Sequence, residues 1–156
     1  TQIPPKDGGA VRELDAMLRP GPSGLAAIRA EVAALASLPG KGSRKQILGH
    51  LVDSASNTHQ RFVRASLGGE LIFPPYEQDG WVHSQDHQGR PWSDLVDFWA
   101  LYNHHLAHVI RHIPEGALNV PCRIGTNDSV TLGFLVQDYL THMRHHLTQI
   151  QERKAA

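Results

Sequence analysis

Apolar residues recur along much of this chain at steps of three and four, the period that places them on one face of an α-helix. The clearest case runs from Trp92 to Ile113. There Trp92, Leu95, Trp99, Tyr102, Leu106, Val109 and Ile113 form an unbroken seam, and Pro114 stops the helix. A helix is also expected over Pro22–Leu38, with Leu25, Ile28, Val32 and Leu35 facing the core and Pro39-Gly40 ending it. Ser43 followed by Gln46 has the form of a capping box and opens a helix expected to reach about Ser66. Its apolar positions are Leu48, Leu51, Val52, Ala55, Phe62 and Val63, while His50, Ser54, Asn57 and Arg61 make a polar stripe roughly opposite. The last helix spans Leu132–Ile150, capped by Asp128 or Ser129, and turns Leu132, Leu135, Tyr139, His142, His146 and Ile150 inward.

The connections read differently. Residues 67–91 contain Gly68-Gly69, Pro74-Pro75, Gly80 and Gly89-Arg90-Pro91 and show no helical period, so they form a long link. Residues 114–127 are turn-rich. Thr1–Gly9 is expected to be an extended arm, followed by a short helix over residues 10–19 with Val11, Leu14 and Leu18 on one side. No strong strand pattern is present. Four amphipathic helices and one long crossover indicate an all-α four-helix bundle. With 156 residues there is room for a single domain, expected over residues 22–153 behind an N-terminal arm over residues 1–21.

Composition narrows the function classes. Lysines plus arginines equal acids at 15 each, so no net field favours nucleic acid or an anionic membrane. No stretch approaches the roughly 18–20 apolar residues of a membrane span, and the N-terminus shows no charged-then-apolar export pattern. Cys122 is the single cysteine, which excludes an internal disulfide and cysteine-rich zinc modules. It lies in a predicted loop with no base beside it, which reads as an inert thiol, and a reducing cytoplasmic setting is expected.

Eleven histidines are many for this length, and they cluster. His142 and His146 lie about 40° apart around one helix, with Cβ atoms roughly 5–6 Å apart, close enough for two imidazoles to chelate one ion. Asp138, one turn earlier, is placed to accept a hydrogen bond from a ligating imidazole. Two readings stand open here: a metal site, or hydrogen-bonded core histidines. His104, His108 and His112 share a face turned from their helix's seam and read as a solvated stripe and a rival ligand set. The pattern puts His50 on a solvated face, so a buried role needs a helix packed on two sides or a cavity at one end of the bundle. Tyr76, Asp79 and Trp81 in the long link can cover a pocket or serve as packing anchors.

Several of these pieces occur together in a known group. Lys45-Gln46-Ile47-Leu48-Gly49-His50-Leu51-Val52-Asp53-Ser54, Asn57 with Gln60-Arg61-Phe62, Tyr76 with Gln78-Asp79-Gly80-Trp81, Pro91-Trp92, and Asp138 with His142-Met143-Arg144-His145-His146-Leu147-Thr148-Gln149-Ile150 carry the likeness. The sequence resembles the DinB/YfiT-like superfamily of metal-binding four-helix bundles, from about Pro22 onward. That resemblance implies an up-down-down-up bundle with a long crossover between helices 2 and 3. It also implies His50, His142 and His146 as ligands of a divalent ion, zinc or nickel foremost. Relatives include thiol S-transferases and isomerases using low-molecular-weight thiols, and metal-dependent hydrolases. A small-molecule substrate and a homodimer are therefore expected. Asn57, Arg61, Tyr76 and Trp81 are the expected substrate contacts, with Arg61 able to grip a carboxylate, and Asp53 and Asp79 are the candidate catalytic acids or bases. Iron-dependent sulfoxide synthases in the group carry His-x-x-x-His-x-Glu, whereas Leu147 and Thr148 follow His146 here, which disfavours that chemistry. The alternatives are a non-catalytic, stress-associated metal-binding bundle and a metal-free dimeric scaffold.

Overall fold

Capping and periodicity set the long helices of the computed structural model, which describes residues 9–19, 24–35 and 42–152. The extended arm before Gly9 and the stops at Pro20-Gly21-Pro22 and Pro39-Gly40 lie outside those residues. In chain order the elements are α1 (Gly9–Leu18), a 3₁₀ turn (Leu25–Ala27), α2 (Ala30–Ala33), α3 (Arg44–Leu67), β1 (Leu71–Phe73) and α4 (Gln78–Ser84). After a 3₁₀ turn (His87–Gly89) come α5 (Trp92–Arg111), a 3₁₀ turn (Glu115–Asn119), β2 (Pro121–Ile124), β3 (Val130–Thr131) and α6 (Leu132–Glu152). The capping box is formed as expected: the Ser43 hydroxyl accepts from the Gln46 amide at 3.2 Å, and the Gln46 side chain accepts from the Ser43 amide at 3.0 Å. α6 starts later than Asp128 or Ser129 would allow, because Thr131 provides the cap by accepting from the Phe134 amide at 3.1 Å.

The membership of the bundle is a correction. The continuous helix expected over Pro22–Leu38 is absent across residues 24–35, where Ile28 and Arg29 are extended and α2 is a single turn. Side chains from elsewhere take this segment's carbonyls: Trp92 Nε1 donates to Leu25 O at 3.0 Å and the Gln88 amide to Ala34 O at 2.9 Å. The fourth bundle helix is instead α1, which packs on α5 and α6 and buries Val11, Leu14 and Leu18. Arg111 to Asp15 at 2.9 Å and Arg144 to Glu13 at 3.3 Å pair charges across the two seams. Such half-exposed pairs contribute little energy but agree with the packing. α3 likewise packs on α5 and α6, so the four long helices close a ring around one core.

The long link carries order the helical pattern does not announce. β1 runs parallel to β2, with Leu71 beside Cys122 and Phe73 beside Ile124, and β3 pairs antiparallel to β2. This small sheet holds the chain after α3 against the chain entering α6, since the Leu132 amide donates to Val120 O at 3.0 Å. The chain leaves α3 through Gly68-Gly69, where Gly69 has φ 65°, a conformation glycine adopts without a Cβ penalty. Cys122 thus lies buried in a short strand rather than a loop, and burial raises its thiol pKa, which fits an inert thiol. Among the described residues no helix is long and apolar enough to cross a membrane.

Candidate metal centre

α3 is where the sequence pattern and the packing diverge most usefully. Its supposed solvated stripe is inside: every residue from Leu48 to Ala55 is buried, His50 and Asp53 included. The cause is packing on several sides, since α5, α6, β1, α4 and the 3₁₀ turn at His87–Gly89 all meet this helix. Gly49 permits the closest of these approaches. A Cβ there would lie 2.3 Å from Cγ of His87. The His87 ring, wholly buried, points Nε2 at both carboxylate oxygens of Asp53, 3.2 Å from each, and the Gln85 amide donates to Asp53 at 2.8 Å.

On the facing side of α3, His50 meets α6. Its Nε2 lies 3.2 Å from His142 Nε2, which in turn lies 3.1 Å from His146 Nε2. One ring nitrogen from each residue falls within 4.8 Å of the others, the one such set of three or more potential ligands found among the described residues. Burial is the main cause holding all three imidazoles neutral: His50 is lowered to about 3 and His142 to about 4, each also disfavoured by neighbouring histidines, and His146 is lowered too. Neutral imidazole is the form that binds a metal. His146 Nδ1 faces the Gln149 carbonyl oxygen at 2.9 Å, so that nitrogen donates and Nε2 keeps its lone pair for the cluster.

Without an ion this arrangement is short of partners. A neutral imidazole nitrogen either carries one proton or offers one lone pair, so His142 Nε2 cannot make a full hydrogen bond to both neighbours. A tetrahedral ion with bonds of about 2.0–2.1 Å needs nitrogens about 3.3 Å apart, close to the two separations found. The three imidazoles therefore fit a divalent ion.

The other expected site residues divide into those at this centre and those away from it. A cavity of about 250 Å³ opens beside it, lined by His50, His142, Arg61, Tyr76, Asp138 and Tyr139 among others. Arg61 places its guanidinium 5.3 Å from the Phe73 ring centroid, and partial burial lowers its pKa. Tyr76 lies 6.4 Å from His50 between ring centroids and 5.2 Å from Trp81. It also lines a second cleft of about 640 Å³, with Asn57, Phe73, Pro75, Trp81 and Gln85. Asn57 donates to the Asp53 carbonyl at 2.9 Å, so its amide is engaged within α3.

The three expected carboxylates lie in different surroundings. Asp53 does not line the first cavity, because its carboxylate is taken by His87 and Gln85. Asp79 is exposed in the first turn of α4 and lines neither space. Asp138 forms no hydrogen bond to an imidazole; it is an exposed carboxylate at the cavity wall whose charge raises the pKa of His142 against the lowering causes. His87 was not visible in the pattern. Its one sequence signal is the glycine inside α3 before His50, since a mid-helix glycine costs about 1 kcal/mol relative to alanine and marks a close approach. His104, His108 and His112 are exposed.

The fold and this centre define a class: a helical bundle whose inner faces bring together three histidines able to hold a divalent ion. The model of the DinB superfamily matches residues 19–150, and the chain belongs to that superfamily. Among solved structures it is similar to YfiT from Bacillus subtilis, described as a probable metal-dependent hydrolase with an unusual four-helix bundle topology. The two share 21% identity with a TM-score of 0.77, covering 92% of this chain and 81% of YfiT. No curated protein matches the sequence.

Proposed function

We propose that this protein is a metal-dependent enzyme acting on a small substrate, with His50, His142 and His146 holding a divalent ion, zinc or nickel. The observation that carries the proposal is the convergence of three neutral Nε2 atoms that the protein cannot satisfy among themselves. A divalent ion bound there supplies Lewis acidity and lowers the pKa of a coordinated water or thiol. The residues of the chain do the remaining work. Gln149 sets the tautomer of His146. Tyr76, beside His50, and Arg61 wall the cavity, and Asp138, in place of Asp53 or Asp79, is the carboxylate at its wall able to take a proton.

Hydrolysis is supported by the likeness to YfiT. Thiol transfer is the second reading, favoured by the adjoining cleft: Tyr76 borders both spaces, so a thiol and its acceptor could lie side by side. We take the helices to run up-down-down-up, in keeping with α1 and α3 each contacting both α5 and α6.

The test is elemental analysis of untagged protein reloaded with zinc or nickel, beside His50→Ala and His142→Ala. About one ion per chain in wild type, lost in both variants, supports the centre. Wild-type protein that takes up no ion, or full turnover of a hydrolase or thiol-transfer substrate by His142→Ala, would sink the proposal.

A further inference from the structure

The cavity beside the imidazoles is lined by a cation that no carboxylate among the described residues pairs with. Arg61 follows His50 by eleven residues, so the two differ by about 20° around α3 and about 16 Å along it. Helical side chains lean toward the N-terminus, which directs the long Arg61 side chain back along α3 toward His50, and both line the one cavity. Ser54 and Thr58, on the turns between them, line it too. The Phe73 ring supports the guanidinium from β1, 5.3 Å away. Arg61 Nε is buried without a hydrogen-bond partner, and no ion pair among the described residues includes Arg61. Asp138, the carboxylate lining this space, stays exposed on α6.

A partly buried cation with no counter-charge loses hydration that the Phe73 ring restores only in part. Its planar fork matches the two oxygens of a carboxylate, which would restore both charge and hydrogen bonds. We propose that the substrate is a small carboxylic acid whose carboxylate sits on Arg61 while its other end faces the three imidazoles. The proposal rests on the reading of those imidazoles as the ion-holding centre, and it adds the substrate class.

Calorimetric titration of butyrate and of its uncharged amide, butyramide, into metal-free and zinc-reloaded protein tests it. Butyrate should bind both forms at least tenfold more tightly than butyramide. Arg61→Gln should remove that preference, and Arg61→Lys, which keeps the charge but loses the fork, should retain part of it. In wild type the Arg61 Nε–H resonance should shift with butyrate and not with butyramide, a readout that stands if Arg61→Gln fails to fold. Equal binding of the two probes, unchanged butyrate binding by folded Arg61→Gln, or tighter binding of inorganic phosphate than butyrate overturns the assignment. Failure to take up zinc with the butyrate preference intact overturns the ion and leaves the Arg61 subsite standing.

Discussion

Gly49 shows how a single missing Cβ organises the neighbourhood of His50. The His87 ring occupies the place that side chain would fill, and through Asp53 it ties the end of the long link to α3 next to the first histidine of the centre. Gly49→Ala should gain up to about 1 kcal/mol of helix propensity yet lose about 1–3 kcal/mol to overpacking, lowering the urea midpoint overall. In a His87→Ala background the ring is gone, and the same substitution should be neutral or stabilising. Equal effects of Gly49→Ala in both backgrounds would show that the contact does not govern this position. Of the site residues, His142 and His146 were legible from spacing because both lie on one helix. His50 was not, since its inward direction depends on which elements cover α3.

At the scale of elements, periodicity and caps were sufficient where a helix packs by its own seam. α5 follows its apolar stripe from Trp92 onward, and Ser43 opens α3 through its capping box. They were insufficient for residues 24–35, whose alanine-rich sequence favours a helix that the fold breaks to pair its carbonyls with Trp92 and Gln88. The core position that segment was expected to fill belongs to α1. Leu14 is fully buried, whereas Leu35 is 46% exposed. Leu14→Ala should therefore cost about 2–5 kcal/mol by denaturant unfolding, while Leu35→Ala should stay within about 0.5 kcal/mol of wild type. A large loss at Leu35 with little at Leu14 would restore the helix first expected there.

For the whole molecule, the buried imidazoles make stability depend on pH. The pKa of His50 falls from its ordinary 6.5 to about 3 in the folded state, and that of His142 to about 4. Between those values and 6.5 the unfolded chain binds more protons than the folded one, so stability is full above about pH 6.5 and declines as pH falls. Metal-free protein should thus lose urea stability between pH 7 and pH 5, before carboxylates begin to titrate. His50→Gln should flatten the slope. A level wild-type profile across that window would mean that the folded imidazoles protonate as readily as the unfolded ones.

The sequence by itself determined the class of fold and the helical segments that form α1, α3, α5 and α6, since helical period and capping are local properties carried by neighbours three and four residues apart. It also determined the His142–His146 pair, for the same reason. Only the tertiary structure decided that α1 completes the bundle, that a three-stranded sheet pins the long link, and that α3 is covered on several sides so that His50 reaches α6. Those outcomes depend on contacts between distant segments, and neither periodicity nor propensity records which distant partner will occupy a face.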